Sequence, residues 1–254
     1  MASSQYVLYD IPSGKAPSVT WSPNPWKTRL LFNFKGLDYR TQWVEYPDIK
    51  STLEPQYDSI PKYRRPSNVP SVAPNPGNPA YSIPTIACPD GTYIMDSRKI
   101  ADSIERQVPL PSLHLDSVYL EKIERVWVQY MTAFAPIFIP LVPKRILNEE
   151  SLEYWYTTRE AMVGMSLDQF EKEKGGVRAW KEVEPVLREV TALLKENEGP
   201  FFMGKTVSYA DLVWFSILLF NQKLGSDVFQ EAMERTGDSK VHLDLMKAAQ
   251  PWCG

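Results

Sequence analysis

What most constrains the fold is a change of hydrophobic period near residues 108–115, where Pro109-Leu110-Pro111 interrupts the chain. Upstream, short pieces alternate in type. Residues 6–9 read as a strand, and residues 26–34 carry apolar side chains at helical spacing, closed by Lys35 as a basic end and Gly36 as C-cap. Residues 39–46, rich in aromatic and β-branched side chains, read as a second strand. Residues 85–88 and 92–95 flank Pro89-Asp90-Gly91 as a hairpin, and Ser97 opens a helix to about Arg106. The first crossover requires a parallel pair and the hairpin an antiparallel one. Residues 1–108 are therefore expected to form an α+β domain, a mixed sheet with helices packed on it. Downstream, strand signals stop. Helices are expected over residues 117–135, 149–174, 177–198 and 208–224, with shorter ones in the tail, which makes residues 115–254 an all-α bundle. Residues 211–220 are apolar all round, so that helix is expected at the bundle's centre.

Two such cores fit 254 residues of which 43% are hydrophobic. A net charge of -3 leaves no cationic excess for phosphates, and the densest basic cluster is Lys62, Arg64 and Arg65, which argues against nucleic acid as a partner. The first ten residues have neither a basic nor an apolar targeting region. The longest apolar stretch, residues 133–142, is interrupted by Pro136 and Pro140, so no membrane segment is expected. Cys88 and Cys253 cannot build a disulfide framework, a CxxC motif or a zinc site. No metal is expected, and a reducing, cytoplasmic setting fits. Of 22 prolines, nine lie between Pro47 and Pro84. They point to an irregular surface excursion without a long helix or a central strand, either disordered or anchored against a core by Tyr57, Ile60, Tyr63, Val69 and Val72.

Three local patterns carry the chemistry. Ile83-Pro84-Thr85 places a proline directly before a strand. It is either an ordinary trans proline at a strand start or a cis bond that turns the backbone N–H and C=O of Ile83 outward, toward an extended peptide ligand. Asp96-Ser97 begins a helix. It is a plain N-cap, or a site where the Ser97 hydroxyl and the helix start hold a carboxylate while Asp96 holds an ammonium. In Ser22-Pro23-Asn24-Pro25-Trp26-Lys27 both Ser22 and Asn24 precede a proline and resist helical geometry. Asn24 as N-cap with Pro25 at the first helical position fits best, leaving the Ser22 hydroxyl in the loop beside a helix N-terminus. A Ser-Pro turn with no chemical role is the alternative.

Together, a strand, a Ser-containing loop, a helix, Ile-Pro before a strand and Asp-Ser opening a helix resemble the glutathione site of cytosolic glutathione transferases. Thr206-Val207-Ser208-Tyr209-Ala210-Asp211 resembles that family's capping element, with Val207 and Leu212 as a hydrophobic staple. Ser22-Pro23-Asn24-Pro25-Trp26-Lys27-Thr28-Arg29, Lys35-Gly36-Leu37-Asp38-Tyr39-Arg40 and Val44-Glu45-Tyr46-Pro47-Asp48-Ile49 are similar, more narrowly, to the fungal etherase-related class FuA. The resemblance implies a thioredoxin-like N-terminal domain that binds glutathione as co-substrate, an all-helical C-terminal domain for an apolar partner, and a homodimer. Ser22 matches the serine that hydrogen-bonds the glutathione sulfur, with Asn24 beside it. Trp26 and Pro84 join the glutathione-binding set, Ile83 matches the residue pairing with the cysteinyl backbone, and Asp96 and Ser97 match the holders of the γ-glutamyl end. The proline-laden stretch after Asp48 departs from the class pattern and leaves the partner of the glycyl carboxylate unassigned.

One serine suffices energetically. A free thiol has a pKa of about 8.5, and each unit of depression requires about 1.4 kcal/mol. A hydrogen bond to a charged acceptor supplies roughly 1.5–3 kcal/mol and a helix N-terminus about 0.3–1 more. Tyr9, near the end of the first strand, is the rival hydroxyl. Serine rather than cysteine at position 22 argues for conjugation, peroxide reduction or ether cleavage over mixed-disulfide chemistry. For the second substrate, Trp127, Tyr130, Met131 and Phe134 form a stripe at helical spacing, which is either bundle core or a wall for aromatic ligands. A non-catalytic ligandin that sequesters plant phenolics is the competing function. His114 and His242 are isolated and carry no assigned chemistry.

Overall fold

In a computed structural model the chain is described over residues 5–14, 18–58 and 80–254. The side chain of Tyr57, the other expected anchors Ile60, Tyr63, Val69 and Val72, and the basic cluster Lys62, Arg64 and Arg65 lie outside the described part. The first module runs β1 (Tyr6–Asp10), α1 (Pro23–Lys35), β2 (Tyr39–Trp43), a 3-10 turn (Tyr46–Asp48), α2 (Ile49–Asp58), β3 (Thr85–Ala87), β4 (Tyr93–Met95) and α3 (Ser97–Gln107). The strands lie in the order β2-β1-β3-β4, with β1 and β2 parallel and the other pairs antiparallel, as the crossover and the hairpin require. Leu8 is paired with Ile86 and Ile86 with Ile94, and these three pack with Leu30 and Leu31 of α1 and Ile100 and Ile104 of α3. One residue along β1 in either direction, Val7 and Tyr9 face the opposite side and pack with Val44, Ile49 and Leu53.

The second module is helical: α4 (Val118–Arg145), α5 (Glu149–Val163), α6 (Leu167–Lys174), α7 (Gly176–Leu194), α8 (Tyr209–Leu224), α9 (Ser226–Arg235) and α10 (Ser239–Ala249), closed by a 3-10 turn (Gln250–Cys253). Helix α8 is the buried centre that its all-round apolar sequence demands, with Leu212, Trp214, Ile217 and Leu218 wholly enclosed. Its start is a capping box in which Asp211 Oδ2 accepts from the Ser208 N–H at 2.7 Å, while Asp211 Oδ1 accepts from the Phe202 N–H at 2.8 Å. Helix α4 is long and apolar enough to cross a membrane by length and composition. Its apolar face, including Ile123, Val126, Tyr130 and Phe134, is instead buried in the core.

Several elements differ from the sequence expectations. Helix α1 begins at Pro23 with Ser22, not Asn24, as its N-cap, and Trp26 N–H donates to Ser22 C=O at 3.2 Å. The first N–H groups of a helix have no intrahelical acceptor, so prolines at 23 and 25 forfeit nothing, and the pre-proline bias at Asn24 is overcome. Helix α2 occupies the start of the supposedly irregular excursion; Pro47 sits in the 3-10 turn before it, seven residues separate Pro47 from Pro55, and the helix continues past Pro55. The helix expected over 149–174 is two helices, broken where Gly164 takes a left-handed φ of 74°. Helix α4 passes through Pro136, Pro140 and Pro143 instead of stopping at Ala135. Pro143 has no N–H for the carbonyl of Ile139, and Trp155 Nε1 fills that vacancy at 3.0 Å.

Candidate active site

The loop that delivers Ser22 is tied down by a buried carboxylate at the end of β1. Asp10 accepts from the Ile11 N–H at 2.7 Å, the Thr20 hydroxyl at 2.6 Å and Arg29 Nε at 3.0 Å. Burial pushes the Asp10 carboxyl up, while Arg29 and these hydrogen bonds pull against it. Trp21 donates from Nε1 to Pro12 C=O at 3.2 Å and packs its ring against Trp155 and Phe220 of the helical module. Both flanks of the loop are thereby fixed, and Ser22 follows at the mouth of α1 with φ -71° and ψ 135°. Ser22 is half-buried, and its hydroxyl makes no capping bond. Because residues 23 and 25 are prolines and Trp26 N–H is spent on Ser22, the Asn24 N–H is, among the described residues, the one amide of that first turn without a partner.

Asn24 lines a cleft of about 260 Å³ with Lys27, Asp96, Ser97, Trp127 and Glu124. Ser97 is buried and Asp96 exposed at the head of α3. Asp96 adopts φ 86°, a region that costs a non-glycine residue about 1–3 kcal/mol. Four bonds hold it there: its N–H to Pro84 C=O at 3.1 Å, its C=O to Ile100 N–H at 2.9 Å, and its Oδ1 to the Arg98 and Lys99 N–H groups at 2.9 and 3.1 Å. The Ile83-Pro84 bond is cis. The backbone N–H and C=O of Ile83 have no hydrogen-bond partner among the described residues. Asp96 and Pro84 are thus joined directly, and Asn24 and Ser97 share the cleft.

The remaining expected residues divide. Trp26 is buried in the core, and its Nε1 has neither solvent access nor a partner among the described residues. Trp127 and Met131 are half-buried, with Trp127 on the cleft wall. Tyr130 and Phe134 correct the expectation of a four-residue substrate wall: both are wholly buried, and the Tyr130 hydroxyl donates to Asn221 Oδ1 at 3.1 Å. They lie one helical step round from Trp127 and Met131, on the face that packs the bundle. Tyr9, the rival hydroxyl, is hydrogen-bonded to Tyr93 and faces the α2 side of the sheet, away from the core shared by β1 and α1.

Sequence reasoning passed over Lys27. Its Nζ sits 3.1 Å from the Trp127 ring centroid and donates to Asn24 Oδ1 at 3.0 Å. Burial lowers its pKa to about 7, against the pull of the Asp96 and Glu124 carboxylates. The signal available was its spacing, one helical turn after Asn24 on the same face.

Comparison with known proteins places both modules. Residues 21–107 match the family model described as glutathione S-transferase, N-terminal domain, and residues 121–246 match glutathione S-transferase, C-terminal domain. The glutathione S-transferase-like protein ustS of Aspergillus flavus is 26% identical over 238 residues, covering 85% of this chain and 80% of that protein. Among solved structures, the glutathione S-transferase CsGST63524 of Ceriporiopsis subvermispora, determined in complex with glutathione, is 28% identical with a TM-score of 0.81, covering 98% of this chain and 97% of that one. The glutathione transferase GSTFuA2 of Phanerochaete chrysosporium is 26% identical with a TM-score of 0.81, covering 99% of each chain.

Proposed function

The chain belongs to the glutathione S-transferase family, and from that premise we propose that it is a serine-type transferase in which Ser22 steadies the thiolate of bound glutathione. The observation that carries this reading is the Ser22 hydroxyl itself: it stands at the N-cap of α1, where a serine ordinarily bonds a helix amide, and makes no such bond. It is free to donate to an anion. The Asn24 N–H beside it adds a second donor, and the helix mouth adds partial positive charge. The Ile83 backbone, unpaired among the described residues, pairs with the cysteinyl unit, and Asp96 with Ser97 receives the γ-glutamyl end. Trp127 and Met131 offer apolar surface to a small aromatic electrophile, for conjugation, peroxide reduction or ether cleavage. A cytoplasmic homodimer, with a glutathione-binding domain over residues 1–108 and a helical domain over 115–254, completes the proposal.

The test is Ser22→Ala. A lost charge-assisted hydrogen bond of roughly 1.5–3 kcal/mol corresponds to a rise of about one to two units in the pKa of the bound thiol. Thiolate absorbance in the ultraviolet, titrated with pH, reads that rise directly. Turnover of an aryl electrophile is expected to fall in step while glutathione affinity holds. An unchanged thiol pKa removes Ser22 from the mechanism, and a wild type that binds aromatics but turns none over supports the ligandin reading instead.

A further inference from the structure

Resting on the glutathione reading above, we propose that the Lys27 ammonium is the charge partner of the α-carboxylate at the γ-glutamyl end of glutathione, acting across the cleft from Ser97. The reason lies in the head of α3, whose positive end is already taken. Asp96 Oδ1 accepts from both the Arg98 and Lys99 N–H groups, so a second carboxylate arriving at Ser97 finds a like charge beside it and only the Ser97 N–H and hydroxyl to bind. Like charges at such range repel, and a cation must offset them.

Of the cations lining the cleft, Arg98 is committed, through Nε to Asp102 at 3.1 Å and through Nη1 to Glu124 at 2.5 Å. Lys27 is not. It donates once, to Asn24, and rests on the Trp127 face, with no carboxylate at ion-pair distance among the described residues. With one donor on Asn24 and the indole face occupying another, one of its three donors remains for a ligand. It is only 7% exposed, so an incoming carboxylate meets it in a low-dielectric wall where the attraction is strong. The titratable and charged groups around it are Asp96 and Arg98 of α3, Glu124 of α4 and Tyr209 of α8. A bound carboxylate favours the protonated amine, so binding draws a proton onto Lys27 from solution.

Titration calorimetry with S-methylglutathione, whose blocked sulfur cannot ionise, tests this about one pH unit above neutrality. Measured in buffers of different ionisation enthalpy, wild type is expected to take up a substantial fraction of a proton per site. Lys27→Met is expected to weaken S-methylglutathione at least tenfold and abolish the uptake. It should leave affinity for the analogue lacking the α-carboxylate, 4-aminobutanoyl-S-methylcysteinylglycine, within twofold of wild type. Lys27→Arg keeps a fixed charge and is expected to retain affinity without proton uptake, a readout that does not require the Met variant to fold. Equal weakening toward both ligands, unchanged affinity for S-methylglutathione, or uptake that persists in Lys27→Arg overturns the assignment. A wild type that fails to bind S-methylglutathione overturns the glutathione reading and this inference with it.

Discussion

The side chain of Lys35 closes the junction between the two modules, and replacing it with methionine isolates what that closure is worth. Lys35 Nζ is fully buried at the end of α1, where it ion-pairs with Glu105 of α3 and donates to the carbonyls of Val108 and Pro111, both at 2.6 Å. Glu105 also accepts from the Ser112 hydroxyl at 3.0 Å and the Leu113 N–H at 2.9 Å. One ammonium therefore organises the whole connection from α3 toward α4. Removing one member of a buried pair costs about 3–5 kcal/mol, because the other charge is left uncompensated. Here Glu105 is 20% exposed and keeps two of its bonds, so the low end, about 3 kcal/mol, is expected for Lys35→Met. With a urea slope of about 3 kcal/mol/M, the unfolding midpoint should fall by about 1 M at constant slope. Tryptophan fluorescence and far-ultraviolet circular dichroism should report the same shift. The double variant Lys35→Met with Glu105→Leu, which removes the orphaned charge, should lose less than the two single variants summed. A midpoint shift below about 0.2 M in Lys35→Met, or strict additivity in the double variant, refutes the reasoning.

His242 predicts an acid limb of stability. It is wholly buried, with Nδ1 accepting from Trp214 Nε1 at 3.0 Å and Nε2 against the Thr191 hydroxyl at 2.8 Å, and burial lowers its pKa from 6.5 to about 4. Since the folded value lies below the unfolded one, its contribution is whole above the unfolded pKa and is lost as pH falls toward the folded one, by about 3 kcal/mol in all. Unfolding free energies measured over that range should slope in wild type and flatten in His242→Gln; parallel slopes would exclude His242 as the source. Trp155→Phe leaves the Ile139 carbonyl of α4 without the donor that Pro143 withholds, at a cost of about 1–3 kcal/mol. Thermal unfolding should shift downward by several degrees, and an unchanged midpoint would mean that water satisfies the carbonyl instead.

Much of the sheet module was legible because its signals are local. The turn at Pro89-Asp90-Gly91 and the Asp96-Ser97 helix start depend on residues adjacent in sequence, and both appear where expected. The same is true of α8, whose uniform apolarity admits one location. Features decided by distant partners were not legible. At Pro143, helix α4 has its orphaned carbonyl satisfied by an indole from α5, a fact absent from the sequence of α4 itself. The stripe of Trp127, Tyr130, Met131 and Phe134 is continuous in period, yet Tyr130 and Phe134 are buried in the core while Trp127 stands on the cleft wall and Met131 is half-buried. Lys27 escaped notice because a lysine is by default a solvated residue, and only tertiary structure shows one enclosed beneath an indole. At the start of α1 two pre-proline residues competed for the cap, and local rules favoured the wrong one, two residues too late.

The two prolines that bracket Asn24 have one more effect. A helix entrance usually offers a fan of amide hydrogens, and that fan is what lets phosphate or sulfate, with several oxygens to satisfy, settle there. Here, among the described residues, prolines remove two ribs of the fan and the Trp26 N–H is already bonded to Ser22. On the proposed reading, the entrance suits an anion whose charge sits on a single atom, such as sulfur, better than oxyanions that need several contacts at once.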